Sequence, residues 1–234
     1  MTGIVNINKP YGKSSHFVVA VVRRVTGIKK VGHTGTLDPL ATGVLPVCIG
    51  REATKLSQQI MDGTKCYNAT IQLGKTTTTQ DSEGEVLTEK EVNVTVEDIF
   101  DAVNAFVGEI YQIPPMYSAV KINGQKLYNL ARKGVEVERK PRKITVYSIE
   151  ILSVDLEKSQ IELSITCSKG TYIRTLCNDI GEKLGCGGYM ASLIRTKSAS
   201  FLLEDSITLE EFEEKWKSEE FDKILIPPHT FIKE

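Results

Sequence analysis

Strand-length stretches with alternating apolar and polar residues recur along this chain, and few of the segments between them are long enough to be βαβ crossovers. GIVNIN (3–8), GVLPVCIG (43–50), KCYNATIQLG (65–74), KITVYSIEILSVD (143–155), SQIELSITCSKG (159–170) and ASLIRTKSASF (191–201) all read as strands. Successive side chains on a strand face opposite sides, so period-two alternation buries one face and wets the other. Helical signals are fewer. Ser14 or Ser15 caps HFVVAVVRRVTG, which Gly27 closes, and Thr95 opens VEDIFDAVNAFVG. TYIRTLCNDIGEKLGCGG runs into glycines, and LEEFEEKWKSEE reads as an exposed acidic helix. TTTTQDSEGEV (76–86) is a polar, turn-rich connection between strands. This pattern predicts an α+β fold, a mixed and largely antiparallel sheet flanked by helices.

Residues 113–142, IPPMYSAVKINGQKLYNLARKGVEVERKPR, break the pattern. They open on two prolines, carry an Asn123-Gly124 hairpin signal and continue into a short basic helix, QKLYNLARKG. Little here is apolar, and the positive charge is interleaved with Tyr117 and Tyr128. The segment from about 115 to 141 reads as a protruding arm.

At 234 residues the chain suits one large domain or two small ones with a self-sufficient core. There is no run of about 18 apolar residues and no charged-then-apolar leader pattern at the N-terminus, so a cytoplasmic protein without a membrane span is expected. The five cysteines (48, 66, 167, 177 and 186) form no CxxC pair, which predicts reduced, mostly buried thiols and no zinc site. Net charge is −1, but its distribution is uneven. Residues 1–60 hold eight Lys or Arg against Asp38 and Glu52, and residues 116–143 hold eight against Glu136 and Glu138. From Glu204 onward ten acids face four lysines. Such segregation predicts one side turned to a polyanion and another left to solvent.

Four sets of residues can carry chemistry. Asp38 is the lone carboxylate of GHTGTLDPLATG (32–43), and Pro39 forces it into extended backbone among apolar neighbours. It is either a rigid turn residue or a tuned nucleophile or base. Tyr172 and Arg174, two apart after Gly170, share one side in extended geometry; they are a pocket wall or a core tyrosine beside a salt bridge. Tyr67 lies in an alternating strand, where aromatics usually face the core. His33, beside Gly32, is a base, a ligand or a nucleic-acid contact. Neither GxxxxGK[ST] nor GxGxxG occurs, so no nucleotide cofactor is implied.

Together these motifs resemble one family closely. NKPYGKSS, GHTGTLDPLATGVLP, KCYNATIQLG with TTTTQDSEG, PPMYSAVKINGQKLYNLARKGVEVERKPR, CSKGTYIRTL and SLIRT follow the order of the TruB-type tRNA pseudouridine synthases, over residues 3 to about 210. The resemblance implies isomerisation of uridine 55 in the tRNA T loop to pseudouridine, without cofactor or metal. It assigns the essential aspartate to Asp38, base stacking to Tyr67 and Tyr172, and a cation paired with the aspartate to Arg174. Leu193 becomes an apolar pocket wall, and His33 fills the space left by the flipped nucleotide. The arm resembles the family's thumb, with Lys126 and Arg132 on the RNA, and Lys9 is expected to contact substrate as well. Stacking gives Tyr67 a reason to be exposed. Attack on base C6, attack on sugar C1′ and a glycal route all remain open.

The resemblance divides the chain into a catalytic domain (1–210) and an acidic helix and tail (211–234), with no C-terminal PUA-type domain. Ile194 stands where an arginine is common beside Arg195. The expected partner is the tRNA T stem-loop, bound by a monomer that requires no protein partner. The alternatives are a guide-RNA-dependent subunit of the same family and a tRNA-folding chaperone without catalysis.

Overall fold

The computed structural model describes residues 1–122 and 124–231. In chain order its elements are β1 (Gly3–Lys9), α1 (Ser15–Thr26), β2 (Val31–His33), β3 (Thr42–Ile49), α2 (Gly50–Lys55), α3 (Ser57–Asp62) and β4 (Lys65–Leu73). There follow β5 (Lys75–Thr77), β6 (Val86–Glu89), α4 (Val96–Asn104), β7 (Gly108–Gln112), β8 (Lys121–Ile122), β9 (Gln125–Lys126) and α5 (Leu127–Ala131). The chain then continues through β10 (Arg142–Asp155), β11 (Gln160–Cys167), α6 (Ile173–Lys183), β12 (Gly188–Ser198), β13 (Phe201–Leu202) and α7 (Leu209–Lys217). It forms two compact units, residues 1–67 with 193–234 and residues 68–192, and the chain passes between them within β4 and β12.

In the first unit β1 and β2 both pair antiparallel with β3, while β12 joins β3 in parallel through Ile194↔Thr42 and Arg195↔Gly43. Helix α1 starts as its sequence dictates. The Ser14 side chain accepts from the Phe17 N–H, and Gly27, at φ +70°, returns its own N–H to Arg23 O. Its buried stripe (Val18, Val19, Val21, Val22) joins Val5, Ile7, Leu45, Val47, Ile49, Leu209 and Phe212 in one core. Each such side chain contributes about 1.5–3 kcal/mol through burial. Helix α7 is therefore amphipathic rather than wholly exposed. Leu209 and Phe212 are core, and its acids line the opposite face.

In the second unit the strand order is β4-β11-β10-β7, with β10 antiparallel to both β11 and β7. Two register shifts, at Val146/Ser148 and Ile151/Ser153, bend the long β10 hairpin. Helix α4 is closed by a capping box between Thr95 and Asp98 and packs on β10 and α6. Both units carry helices against their strands, which is the expected α+β architecture. The connection over 76–86 is a hairpin, since its ends pair as β5 and β6. No helix among the described residues is long and apolar enough to cross a membrane. Cys48, Cys167, Cys177 and Cys186 are buried free thiols, and Cys66 is half-buried.

One glycine bears directly on the Asp38 loop. Gly43 adopts φ +99°, and a Cβ added there would lie 2.3 Å from the Arg195 carbonyl oxygen. Only glycine permits both the backbone angle and the close approach of β12. Gly43→Ala is expected to cost at least about 2 kcal/mol, read as a fall in the denaturant midpoint at constant m-value. An unchanged midpoint would show that β3 and β12 separate freely there.

Candidate active site

Asp38 stands half-buried between Leu37 and Leu40, whose side chains are buried. Its loop is held from several directions. Thr34 donates N–H to Pro46 O at 3.1 Å. The Ser15 hydroxyl both accepts from Leu37 N (2.9 Å) and donates to Leu37 O (3.1 Å). The Arg195 guanidinium donates to Gly35 O at 3.1 Å and to Val44 O at 2.7 Å. Gly12 N donates to Pro39 O at 2.9 Å, and Ala41 N to Asp38 O at 3.1 Å. The backbone on both sides of Asp38 is thus fixed before any substrate arrives, which is what precise presentation of a reacting carboxylate requires.

Lys9 departs from its expected role. Its side chain is fully buried, and the ammonium donates to Pro10 O (2.8 Å), Lys13 O (2.5 Å) and Pro39 O (3.1 Å). A lysine spending its three donors on backbone carbonyls braces the loop; it is not presented to a phosphate. Burial lowers its pKa to about 8, the negative charge of Asp38 opposes that shift, and Arg195 adds to it.

His33, at the end of β2, meets the exposed His16 edge-on at 6.4 Å between ring centroids. Its Nδ1 has no hydrogen-bond partner among the described residues. Burial lowers its pKa to about 4, with His16 and Arg195 contributing, so the ring is neutral near pH 7. A neutral ring suits a space-filling role better than phosphate binding. Tyr67, also in this unit, is buried on the inward face of β4, so the exposure expected of it is not what the structure has. Leu193 is buried on β12.

In the second unit Arg174 is buried, but it is the second residue of α6, so the shared extended face with Tyr172 does not form. The guanidinium donates to Asp81 Oδ2 at 3.3 Å, Thr79 O at 3.1 Å and Tyr117 O at 2.8 Å. Asp81 is itself buried and accepts from Thr79 Oγ1 (2.5 Å) and Glu83 N (3.0 Å). Tyr172 is the helix N-cap, and the buried Gln112 side chain holds it on both sides, accepting from Tyr172 N at 2.8 Å and donating to Tyr172 O at 3.0 Å. Asp81 and Gln112, which hold Arg174 and Tyr172, are residues that sequence reasoning missed. A polar turn and a strand end announce neither.

The arm begins where Arg174 grips Tyr117. Of its described residues from 115 to 141 only Pro115, Ser118 and Leu127 are buried. β8 and β9 pair as Lys121↔Lys126 and Ile122↔Gln125, as a hairpin should, although Asn123 itself lies outside the described residues. Lys126 and Arg132 both sit over the Tyr128 ring, at 5.4 and 5.6 Å from its centroid. With Lys121 and Lys133 they line a cleft of about 720 Å³. This basic, aromatic lining is what a groove for a nucleic-acid backbone requires.

Residues 23–173 match the model of the TruB family pseudouridylate synthase N-terminal domain, and residues 174–232 match that of the tRNA pseudouridylate synthase B C-terminal domain. A tRNA pseudouridine synthase B from Alkaliphilus oremlandii is 55% identical, covering 97% of this chain and 74% of the relative. The Pseudomonas syringae protein of that name is 52% identical with the same coverage. Among solved structures, a chain of a Cbf5-Nop10-Gar1 complex aligns with TM-score 0.77 at 32% identity, over 98% of this chain and 61% of that one. An H/ACA RNP bound to a substrate RNA aligns with TM-score 0.73 at 29% identity, over 98% of this chain and 60% of that one. This chain thus spans about three quarters of these curated relatives and about three fifths of these solved chains.

Proposed function

The chain belongs to the TruB family of pseudouridylate synthases and is an isomerase, and we propose that it converts uridine 55 of the tRNA T loop to pseudouridine with Asp38 as nucleophile. The reaction breaks the bond from N1 to C1′ and makes one from C5 to C1′. The C5 proton leaves to solvent while N1 gains one, so product and substrate are isomers and no oxidant is consumed. The observation that carries this reading is the Asp38 loop, a half-exposed carboxylate on backbone pinned by Ser15, Lys9 and Arg195.

A uridine inside a folded loop reaches a carboxylate only after flipping out, at a cost of a few kcal/mol. Stacking on Tyr67 and Tyr172 offsets part of that cost. Arg174 is the cation of the same reaction, and its contact with Asp81 helps hold the guanidinium in place. His33, neutral, occupies the space the nucleotide leaves, and Leu193 lines the pocket.

We infer stand-alone action on tRNA over guide-RNA dependence. The relatives named for tRNA are 55% and 52% identical, against 32% for the chain from the Cbf5-Nop10-Gar1 complex. The basic arm supports this, since it offers RNA a surface without help from a partner. Replacing Lys126, Arg132 and Lys133 together by Gln is expected to weaken tRNA binding and reduce the slope of log K against log salt by about two. Filter binding between 50 and 200 mM salt measures it, and an unchanged slope would take the arm off the RNA. The reading as a whole is tested with tRNA tritiated at uridine C5. Release of tritium by the unmodified chain without cofactor supports it, and binding without release would indicate a chaperone.

A further inference from the structure

The turn between β1 and α1 and the first turn of α1 carry side chains that none of these roles use. Tyr11 is 70% exposed and Phe17 is 42% exposed, and the Lys13 ammonium sits 5.1 Å from the Phe17 ring centroid. Single exposed aromatics are ordinary on protein surfaces. Two rings and a cation within seven residues are less so, and these stand on backbone that cannot move far. The buried Lys9 ammonium bonds both ends of the turn, at Pro10 O and Lys13 O. Gly12, at φ +73°, gives its N–H to Pro39 O, the carbonyl of the residue that follows Asp38. The turn is therefore fastened to the loop that presents the carboxylate. Around it, residues 1–60 hold eight basic side chains against two acids.

We propose that Tyr11, Lys13 and Phe17 form a platform for an unpaired nucleotide flanking the target uridine, with Tyr11 stacking on its base and Lys13 meeting its phosphate. The inference rests on the RNA-substrate reading above. Flipping a nucleotide strips its neighbours of a stacking partner, and an aromatic face restores one. A ring on a pre-fixed turn does so with little ordering cost, because its backbone is already set. The cation beside the Phe17 ring supplies the phosphate contact that fixes position without reading sequence. The fastening through Pro39 keeps this turn next to the Asp38 loop.

The test compares the wild-type chain with Tyr11→Leu, Tyr11→Phe and Lys13→Gln, using steady-state turnover and equilibrium binding of unmodified tRNA. Tyr11→Leu is expected to raise Kd and KM about tenfold with kcat at saturating tRNA unchanged. Tyr11→Phe, which keeps the ring, restores wild-type values. Lys13→Gln lowers the salt slope by about one. A T stem-loop with abasic nucleotides on both sides of the target locates the occupant, because wild type and Tyr11→Leu should then bind alike. Equal binding of natural tRNA by wild type and Tyr11→Leu would overturn the platform, as would a tenfold gap that survives on the abasic RNA. If the wild-type chain isomerises tRNA and the Tyr11 variants match it, only the platform falls. If the wild type neither binds nor isomerises tRNA, the functional reading falls with it.

Discussion

Replacing Asp38 by Asn is expected to lower turnover by a factor on the order of 10⁴ or more, as loss of a nucleophile does, while tRNA binding stays close to wild type. The side chains are nearly the same size, and Ser15, Lys9, Gly12 and Arg195 hydrogen-bond the backbone of the loop around residue 38. These anchors are expected to keep the loop folded in the variant. Single-turnover rates set beside equilibrium binding on the same preparation separate the two effects. Measurable turnover at a tenth of wild type would remove the nucleophile assignment. A parallel loss of binding would mean that Asp38 recognises RNA rather than reacts with it.

Asp81→Asn is the second large effect. Arg174 and Asp81 side chains are 6% and 4% exposed, and their contact joins residues 93 apart in sequence. Neutralising one side of a buried ion pair costs about 3 kcal/mol, the low end of such losses because Thr79 O and Tyr117 O still accept from the guanidinium. Turnover should fall with stability, since Arg174 also grips the base of the arm and the adjacent Tyr172 caps the same helix. Denaturant unfolding and single-turnover rates together check this. Unfolding free energy within half a kcal/mol of wild type would show that water or another group already neutralises Arg174.

What could be read from sequence here is local. The Ser14 cap, the Gly27 closure, the alternating strands and the rigid Asp38–Pro39 step depend on neighbouring residues, and each has its structural counterpart. What could not be read depends on distant partners. Asp81 sits in TTTTQDSEGEV, which resembles any solvated turn, and only a guanidinium 93 residues away gives it reason to be buried. Lys9 looks like one more surface cation until Pro10, Lys13 and Pro39 turn their carbonyls toward it. The helix in TYIRTLCNDIGEKLGCGG is legible, but a face shared by Tyr172 and Arg174 needs extended chain there, whereas the helix begins at Ile173. The core face of α7 was legible in principle, since Leu209, Phe212 and Trp216 stand at helical spacing and all enter one cluster. The acidic count of that segment obscured it.

The central claim, that this isomerase acts on one uridine of the T loop, is tested most directly by mapping where the product forms. An unmodified tRNA transcript is incubated with the wild-type chain alone, treated with carbodiimide, and read by reverse transcription for pseudouridine-dependent stops. A single new stop reporting position 55 is expected, absent with Asp38→Asn and absent when that uridine is replaced by cytidine. Pseudouridine at another position, or only after adding a guide RNA or a protein partner, would contradict it.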